Sequence, residues 1–427
     1  MTRMKESGID WIGQIPEEWE VKDIKHIFEE IGSGSTPKSD NEIFYDGDIN
    51  WIQSGDLYQT DTVTSVSKTI SYQGFKSTSA LKIYKHPFIA LAMYGASVGN
   101  VAISCIDACV NQAVVVMLGA SEKVRFGKYA IEASKNNLIF SAQGGTQPNI
   151  SQNLIKNWSI PQPKSSEQTK IADFLDKKTT QLDKVKSLLE EQIQKLKDYR
   201  ASLIYETVTK GLDKAVPMKD SGIDWIGQVP EGWKIGRVKD AFKLRSEKNF
   251  RPIEEVQLLS LYTEFGVFPH GDREEKGNKA VSTEGYKIVY KKDIVVNIIL
   301  AWMGSIGISE YDGVTSPAYD IYEPLEGVCS KFFHYLFRTE AFAGQCYKYG
   351  KGIMKMRWRT YSDDFKTIEI PIPDYNSQVN IVKFLDNKLK IINQLIDIKQ
   401  EQIENINKQR QTLIYNYVTG KRRGKEI

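Results

Sequence analysis

The sequence predicts an α+β protein: two mixed α/β domains separated by two long helices that form an intrachain antiparallel coiled coil, the whole built as an internal repeat with pseudo-twofold symmetry. Three observations carry this. SGIDWIGQIPEEW at 7–19 returns as SGIDWIGQVPEGW at 221–233. IPQPKSSEQTKIADFLD at 160–176 and LIYETVTKG at 203–211 return as IPIPDYNSQVNIVKFLD at 370–386 and LIYNYVTGK at 413–421. Each copy also contains a long stretch free of Pro and Gly with helical apolar spacing. Self-similarity of this kind decides architecture before local propensity does. The stretches between the matched segments barely resemble one another, which suggests one scaffold used twice to read two different things.

In chain order, the first domain covers 1–164. Strand-like apolar runs lie at 87–93, 99–104 and 111–118, followed by a helix near 126–140. The first long helix covers 165–210. Steps of four and three place Ile171, Leu175, Lys178, Leu182, Val185, Leu189, Gln192, Leu196, Tyr199 and Leu203 on one heptad seam. Pro161 and Pro163 keep the preceding backbone extended, and Ser165 or Ser166 is the expected cap. The second domain covers 211–374, with a strand pattern at 287–299 and a helix pattern at 330–346. The second long helix covers 375–427, after Pro371 and Pro373, with Ser377 as cap. Its seam is Ile381, Leu385, Lys388, Ile392, Leu395, Lys399, Gln402, Ile406, Gln409 and Leu413. The polar breaks at Lys178 and Gln192 recur at Lys388 and Gln402, and polar seam residues fix register. Roughly 40 residues of helix make a rod of ~60 Å. Two equivalent helices in one chain supply each other's partner, which favours an intrachain antiparallel pair over pairing with a second copy.

Composition excludes more than it assigns. With 41% hydrophobic and 26% charged residues over 427 positions, this is an ordinary soluble composition. The longest apolar run, 293–304, is too short to span a bilayer, so no membrane partner is expected. The opening MTRMKESG carries no apolar signal region, which points to a cytoplasmic protein. A net charge of +3 cannot by itself argue for nucleic acid, so any such surface must be local. Cys105, Cys109, Cys329 and Cys346 form no CxxC, and His26, His86, His270 and His334 do not cluster with them, so no metal is expected. No P-loop occurs. GSGSTP at 32–37 reads as a plain turn, and DREEK at 272–276 as a solvated one. No catalytic residue is nominated. The pattern is that of a reader; the competing classes are a nuclease or methyltransferase with an unrecognised centre, and a coiled-coil scaffold without DNA contact.

The positive chemistry lies in loops. Residues 347–359, YKYGKGIMKMRWR, hold Lys348, Lys351, Lys355, Arg357 and Arg359 without an acid, interleaved with Tyr347, Tyr349 and Trp358. Lysines neutralise phosphates, and an arginine fork fits a guanine edge. The matching place in the first domain, 141–151, is uncharged but rich in amides and hydroxyls: Gln143, Thr146, Gln147 and Asn149. Such amides pair with adenine edges. Thr36, Lys38, Gln53 and Ser54 in the first domain, and Arg245, Lys248, Asn249 and Arg251 in the second, are further DNA-binding candidates.

At this point a resemblance enters. The duplicated WIGQIPEEW and WIGQVPEGW, the IPQP and IPIP leads into EQTKIADFLD and SQVNIVKFLD, the LIYETVTKG and LIYNYVTGK endings, and AWMGSIGISEYDGVTSPAY at 301–319 together resemble the specificity subunit of a type I restriction-modification system, over nearly the whole chain. The resemblance implies that each variable region is a target-recognition domain reading half of a bipartite, asymmetric double-stranded DNA site. The long helices would be the spacer. The subunit would be non-catalytic and bind no cofactor. It would direct two modification subunits that methylate adenine with S-adenosylmethionine, and two restriction subunits that use ATP and Mg.

Overall fold

The computed structural model describes residues 3–142, 148–263, 266–271, 282–352 and 358–422. The chain forms two compact units. The first contains Met1–Leu189 and Glu401–Ile427, the second Glu190–Gln400, so each unit takes part of both long helices.

In the first unit, five strands lie in the order Glu30–Ser33, Val114–Leu118, Phe88–Ala92, Val101–Ser104 and Thr62–Val63. All neighbours are antiparallel except the last pair. The runs FIALA and VVVML are apolar at nearly every position because both faces of the sheet are covered. Successive side chains alternate between faces. Ile89, Leu91, Val115 and Met117 pack with Phe126 and Tyr129 of helix Ser121–Ala133. Phe88, Ala90, Ala92, Val114 and Val116 pack on the other side with Ile52 and Leu57.

The second unit repeats this plan with four antiparallel strands, in the order Phe242–Arg245, Tyr319–Pro324, Ile294–Asn297 and Ile306–Ile308. Helix Ser330–Phe337 covers it, burying Phe332, Phe333, Leu336 and Phe337. The two domains thus share a sheet order and one covering helix, although their sequences there are unlike.

The duplicated segments do the same work in each unit. Strand Glu20–Asp23 pairs with Ser159–Gln162, and Lys234–Arg237 with Glu369–Ile372. Trp19 meets Phe126 edge-on at 6.5 Å, and Trp233 meets Phe332 at 6.3 Å. Tyr415 of the second long helix donates its hydroxyl to the Ile12 carbonyl at 3.3 Å, and Tyr205 of the first donates to Trp225 at 2.7 Å. These repeated contacts, rather than similarity of the variable residues, attach each domain to helix.

The long helices run Ser165–Lys210 and Tyr375–Val418. In the first unit Phe174 lies 4.4 Å from Tyr417, and Arg410 reaches Asp183 at 3.5 Å. In the second, Arg200 donates to Asn393 at 3.1 Å and Lys399 to Gln192 at 2.6 Å. Lower numbers on one helix meet higher numbers on the other in both units, which defines antiparallel pairing.

Two expectations about these helices require correction. The first concerns the seam. Ile171, Leu175, Leu182, Leu189, Leu196 and Leu203, with Ile381, Leu385, Ile392, Ile406 and Leu413, are buried or half-buried as expected. Val185 and Leu395 are instead 46% and 42% exposed. From Leu175 and Leu385 the chain advances four residues first, not three. Thr179, Ile193, Leu389, Ile396 and Ile403 therefore turn inward, while Gln192, Lys388 and Gln402 are exposed. Arg200 and Arg410 become the matched polar residues of the inner face, half-buried at equivalent positions. The second correction concerns the starts. Asp374, not Ser377, accepts the backbone N–H of Ser377 at 3.0 Å. Gln168 and Gln378, both buried, donate back to the carbonyls of Pro163 and Pro373 at 2.8 Å. Among the described residues no helix is long and apolar enough to cross a membrane.

Candidate nucleic-acid interface

In the first unit, backbone geometry gathers four separate loops into one rim. Gly34 packs against the Val110 carbonyl so closely that any side chain there would collide with it. Trp51 donates its indole N–H to the Ser35 carbonyl at 3.2 Å, fixing the turn that carries Thr36. Thr36 is exposed and donates its hydroxyl to the Gln112 amide oxygen. Asn111 donates its N–H to Ile52 at 3.0 Å, bringing Gln53 alongside. Met93 donates to Ala113 at 2.8 Å, and Ile150 to Met93 at 2.8 Å. Ile150 is fully buried, while Asn149 beside it is exposed. Thr36, Gln53, Gln112 and Asn149 are thus neighbours by way of short backbone links. Lys38 is exposed farther along the same turn, and Ser54 is half-buried. Gln143, Thr146 and Gln147 lie outside the described residues.

Gln112 was not singled out from the sequence, because NQAVVVML reads as one strand. The strand begins only at Val114. Asn111 accepts the Ala113 N–H at 3.0 Å through its side chain, forming a turn that leaves Gln112 exposed. An Asn two residues before an apolar run was the available signal.

The second unit builds its loop on the same anchor. Thr360, fully buried, donates its N–H to Ile298 at 2.9 Å, and Ile298 donates to Ala318 at 3.4 Å. Ile298 follows the strand equivalent to that preceding Met93. Lys351 and Arg359 exchange two backbone hydrogen bonds, at 2.9 and 3.0 Å, closing the neck of the loop. Trp358 stacks on Tyr347 at 5.0 Å and donates to its carbonyl at 3.0 Å. Gly350 leaves room for that indole. Trp358 therefore clasps the neck that Lys351 and Arg359 form. Lys348 and Arg359 are exposed, and Lys351 is exposed while reaching Asp364 at 2.9 Å. Lys355 and Arg357 lie outside the described residues.

The segment around Arg245 divides. Lys248 and Arg251 are exposed. Asn249 is 1% exposed, and its amide donates to the carbonyls of Arg251 and Thr283 at 2.9 and 3.2 Å. Arg245 is held by Asp293 at 3.0 Å and Glu323 at 2.9 Å, and lies over the Tyr290 ring at 4.6 Å. Burial lifts the Asp293 carboxyl above its ordinary range despite the opposing Arg245 charge. Both residues, expected at a DNA surface, are thus spent within the fold, because their donors are already satisfied there. Of the candidate cations among the described residues, Lys248, Arg251, Lys348, Lys351 and Arg359 are exposed. Burial also pushes the Cys109 thiol up to about 12, the condition of an inert core cysteine. Among the described residues no group of three or more His, Cys, Asp or Glu is placed to hold a metal ion.

Comparison with known proteins accords with this duplicated arrangement. Residues 16–197 and 230–407 each match the family described as type I restriction modification DNA specificity domain. The chain is 24% identical to a putative type I restriction enzyme MjaX specificity subunit of Methanocaldococcus jannaschii, covering 97% of this chain and 96% of that protein. It is 27% identical to the MjaIX specificity subunit of the same organism over 58% of this chain and 56% of that protein. A solved structure described as the basis of complex assembly and conformational transition of the type I R-M system superposes with TM-score 0.70 at 14% identity, covering 95% of this chain and 98% of that one. The crystal structure of an HsdS subunit from Thermoanaerobacter tengcongensis superposes with TM-score 0.52 at 15% identity, with the same coverage.

Proposed function

Because the chain belongs to the type I restriction modification DNA specificity family, we propose that each of its units reads one half of a bipartite, asymmetric double-stranded DNA site, as a non-catalytic subunit. The observation that carries the proposal is the pair of loops on identical backbone anchors with unlike side chains: Ile150 to Met93 in one unit, Thr360 to Ile298 in the other. The first rim, with Thr36, Gln53, Gln112 and Asn149, is neutral and amide-rich, suited to base edges. Gln143, Thr146 and Gln147 belong to the same loop. The second rim, with Lys348, Lys351 and Arg359, and with Lys355 and Arg357 in its loop, is cationic and suited to phosphates and a guanine edge. Unlike rims call for unlike half-sites. The paired long helices set the separation between them.

The partners follow from the repeat. Val185 and Leu188 on the first long helix are 46% and 48% exposed, and their equivalents on the second, Leu395 and Ile398, are 42% and 52% exposed. Apolar pairs left in solvent at matched positions support docking of two identical modification subunits. These carry S-adenosylmethionine, and restriction subunits using ATP and Mg join through them; this chain carries none of the three. Mapping methylated adenines across the genome with and without this gene tests the reading. Two different half-sites at one constant spacing are expected. A palindromic site, or an unchanged methylation map, would overturn it. Lengthening both helices by two heptads tests the spacer, and an unaltered half-site separation would show that the helices are not the ruler.

A further inference from the structure

The second unit uses a buried side chain to hold out an apolar one. Asn249 is 1% exposed, and the next residue, Phe250, is 78% exposed. The backbone N–H of Asn249 donates to the Tyr286 carbonyl at 2.7 Å, and its carbonyl accepts the Gly285 N–H at 2.9 Å. Its side-chain amide donates to the carbonyls of Arg251 and Thr283, and its side-chain oxygen accepts the Arg251 N–H at 3.2 Å. Thr283, also 1% exposed, donates its hydroxyl to the Arg251 carbonyl at 3.3 Å. Such side-chain-to-backbone bonds define a turn. The backbone on both sides of Phe250 is therefore held from within the fold, and the ring stands out from a fixed tip.

Sheet topology sets where this tip lies. Strands Phe242–Arg245 and Ile294–Asn297 both run antiparallel to Tyr319–Pro324, which lies between them. They are therefore parallel to each other, and the chain leaves both at the same end of the sheet. Strands flanking a common neighbour lie about 10 Å apart. Beyond the first strand come Lys248, Asn249, Phe250 and Arg251. Beyond the second comes Ile298, which accepts the Thr360 N–H at 2.9 Å and so anchors the segment that carries Arg359. The first unit has the same plan. Strands Glu30–Ser33 and Phe88–Ala92 flank Val114–Leu118 and lead to Thr36 and to Met93. Phe250 thus has on the second rim the place that the Thr36 turn has on the first.

Charge does not set this tip apart. Lys248 and Arg251 are exposed, but so are Glu247, Glu254 and Glu255. What sets it apart is an apolar ring among polar readers. Amides and guanidinium groups find hydrogen-bond partners on base edges and phosphates, whereas a phenyl ring needs an apolar partner. The apolar group that a base pair shows in the major groove is the C5-methyl of thymine. Contact between ring and methyl removes apolar surface of both from water. Because the backbone of the tip is already fixed, little ordering opposes that contact.

We infer that Phe250 is a specificity residue that reads the C5-methyl group of a thymine in the second half-site. The inference rests on the reading of this unit as the one that contacts that half-site.

The test uses the full chain, bound to its modification subunits, and duplexes carrying the mapped site. Each thymine of the second half-site is replaced in turn by deoxyuridine, which keeps the base pair and loses the methyl group. At one position the parent should bind about 4-fold more weakly, the equivalent of one buried methyl group. Phe250→Ala should bind the thymine duplex about 10-fold more weakly and should not respond to deoxyuridine at that position. Its salt dependence should match that of the parent, because no charge is removed. Its melting temperature should also match, because the ring is exposed. A parent for which every deoxyuridine is silent, or a Phe250→Ala variant that still responds, overturns the inference while half-site reading stands. A parent indifferent to scrambling of the whole second half-site brings down both.

Discussion

The two units solve one backbone problem and distribute charge in different ways. In the first, cations at the helix junction are buried among acids, and Thr36, Gln53, Gln112 and Asn149 form an amide- and hydroxyl-rich rim with Lys38 farther along its turn. Lys128 is 2% exposed and Arg410 15%, both ion-paired, while Thr36, Gln112 and Asn149 face outward. In the second, His334, Arg200 and Arg338 line a cavity at the junction, and Lys348, Lys351 and Arg359 are exposed. The anchor at the end of each of these loops is made of backbone hydrogen bonds and one buried residue, Ile150 or Thr360. Side chains on the loops are then free to diverge without cost to the scaffold.

The largest expected effect is on stability at the junction. Lys128→Ala leaves Asp61, Glu132 and Asp183 with Arg410 as their one remaining cation in this part-buried cluster and should cost about 3 kcal/mol in denaturant unfolding of the first unit. His334→Ala, at the matching place, leaves only the Ile308 N–H unsatisfied and should cost about 1 kcal/mol in the second. Equal losses would break the contrast. Next, Trp358→Ala removes the stack on Tyr347 and one hydrogen bond, about 2 kcal/mol, and should also weaken DNA binding through the second half-site by loosening the loop neck. A loss at the first half-site instead would mean the loops are not independent.

Single contact residues come after these. Arg359→Ala, and likewise Arg357→Ala, should weaken recognition of one half-site by about 10-fold with a shallower salt dependence, and Gln112→Ala should weaken the other by a similar factor with the salt dependence unchanged. Binding to duplexes altered in one half-site at a time separates them.

The smallest effect concerns pH. Burial opposes ionisation of Asp61, but Lys128 and Arg410 outweigh it and hold its carboxyl below the ordinary range. An acid with a depressed folded pKa stabilises above its unfolded value of about 4 and loses that contribution as pH falls through the folded value. The first unit should therefore lose stability on acidification below pH ~4, and Asp61→Asn should flatten that fall. An unchanged pH profile in Asp61→Asn would remove Asp61 from the account.

What could be read in the chain follows from where information is local. The repeat and the long helices were legible because periodicity and residue type report them directly, whereas the polar stretch at 347–359 begins inside the helix Glu340–Tyr349. The seam phase was not. Two registers of the same heptad pattern share Leu175, Leu182 and Leu189, and only packing against the partner helix selects Thr179 over Lys178 and Ile193 over Gln192. Asn249 and Arg245 looked like surface donors because a sequence does not show that Thr283 and Asp293, more than thirty residues away, would satisfy them. Gln112 was hidden inside an apolar run.

By itself, the amino-acid sequence determined that one frame is used twice, that helix separates two unlike fillings, and which loops carry polar chemistry. All of these depend on spacing and side-chain type along a few turns of chain. Tertiary structure alone decided which candidates share a rim, which donors are consumed inside, and that one arginine of a matched pair is neutralised by its own unit while the other faces a cavity. Those outcomes depend on desolvation and on partners distant in sequence, and neither is written in local pattern.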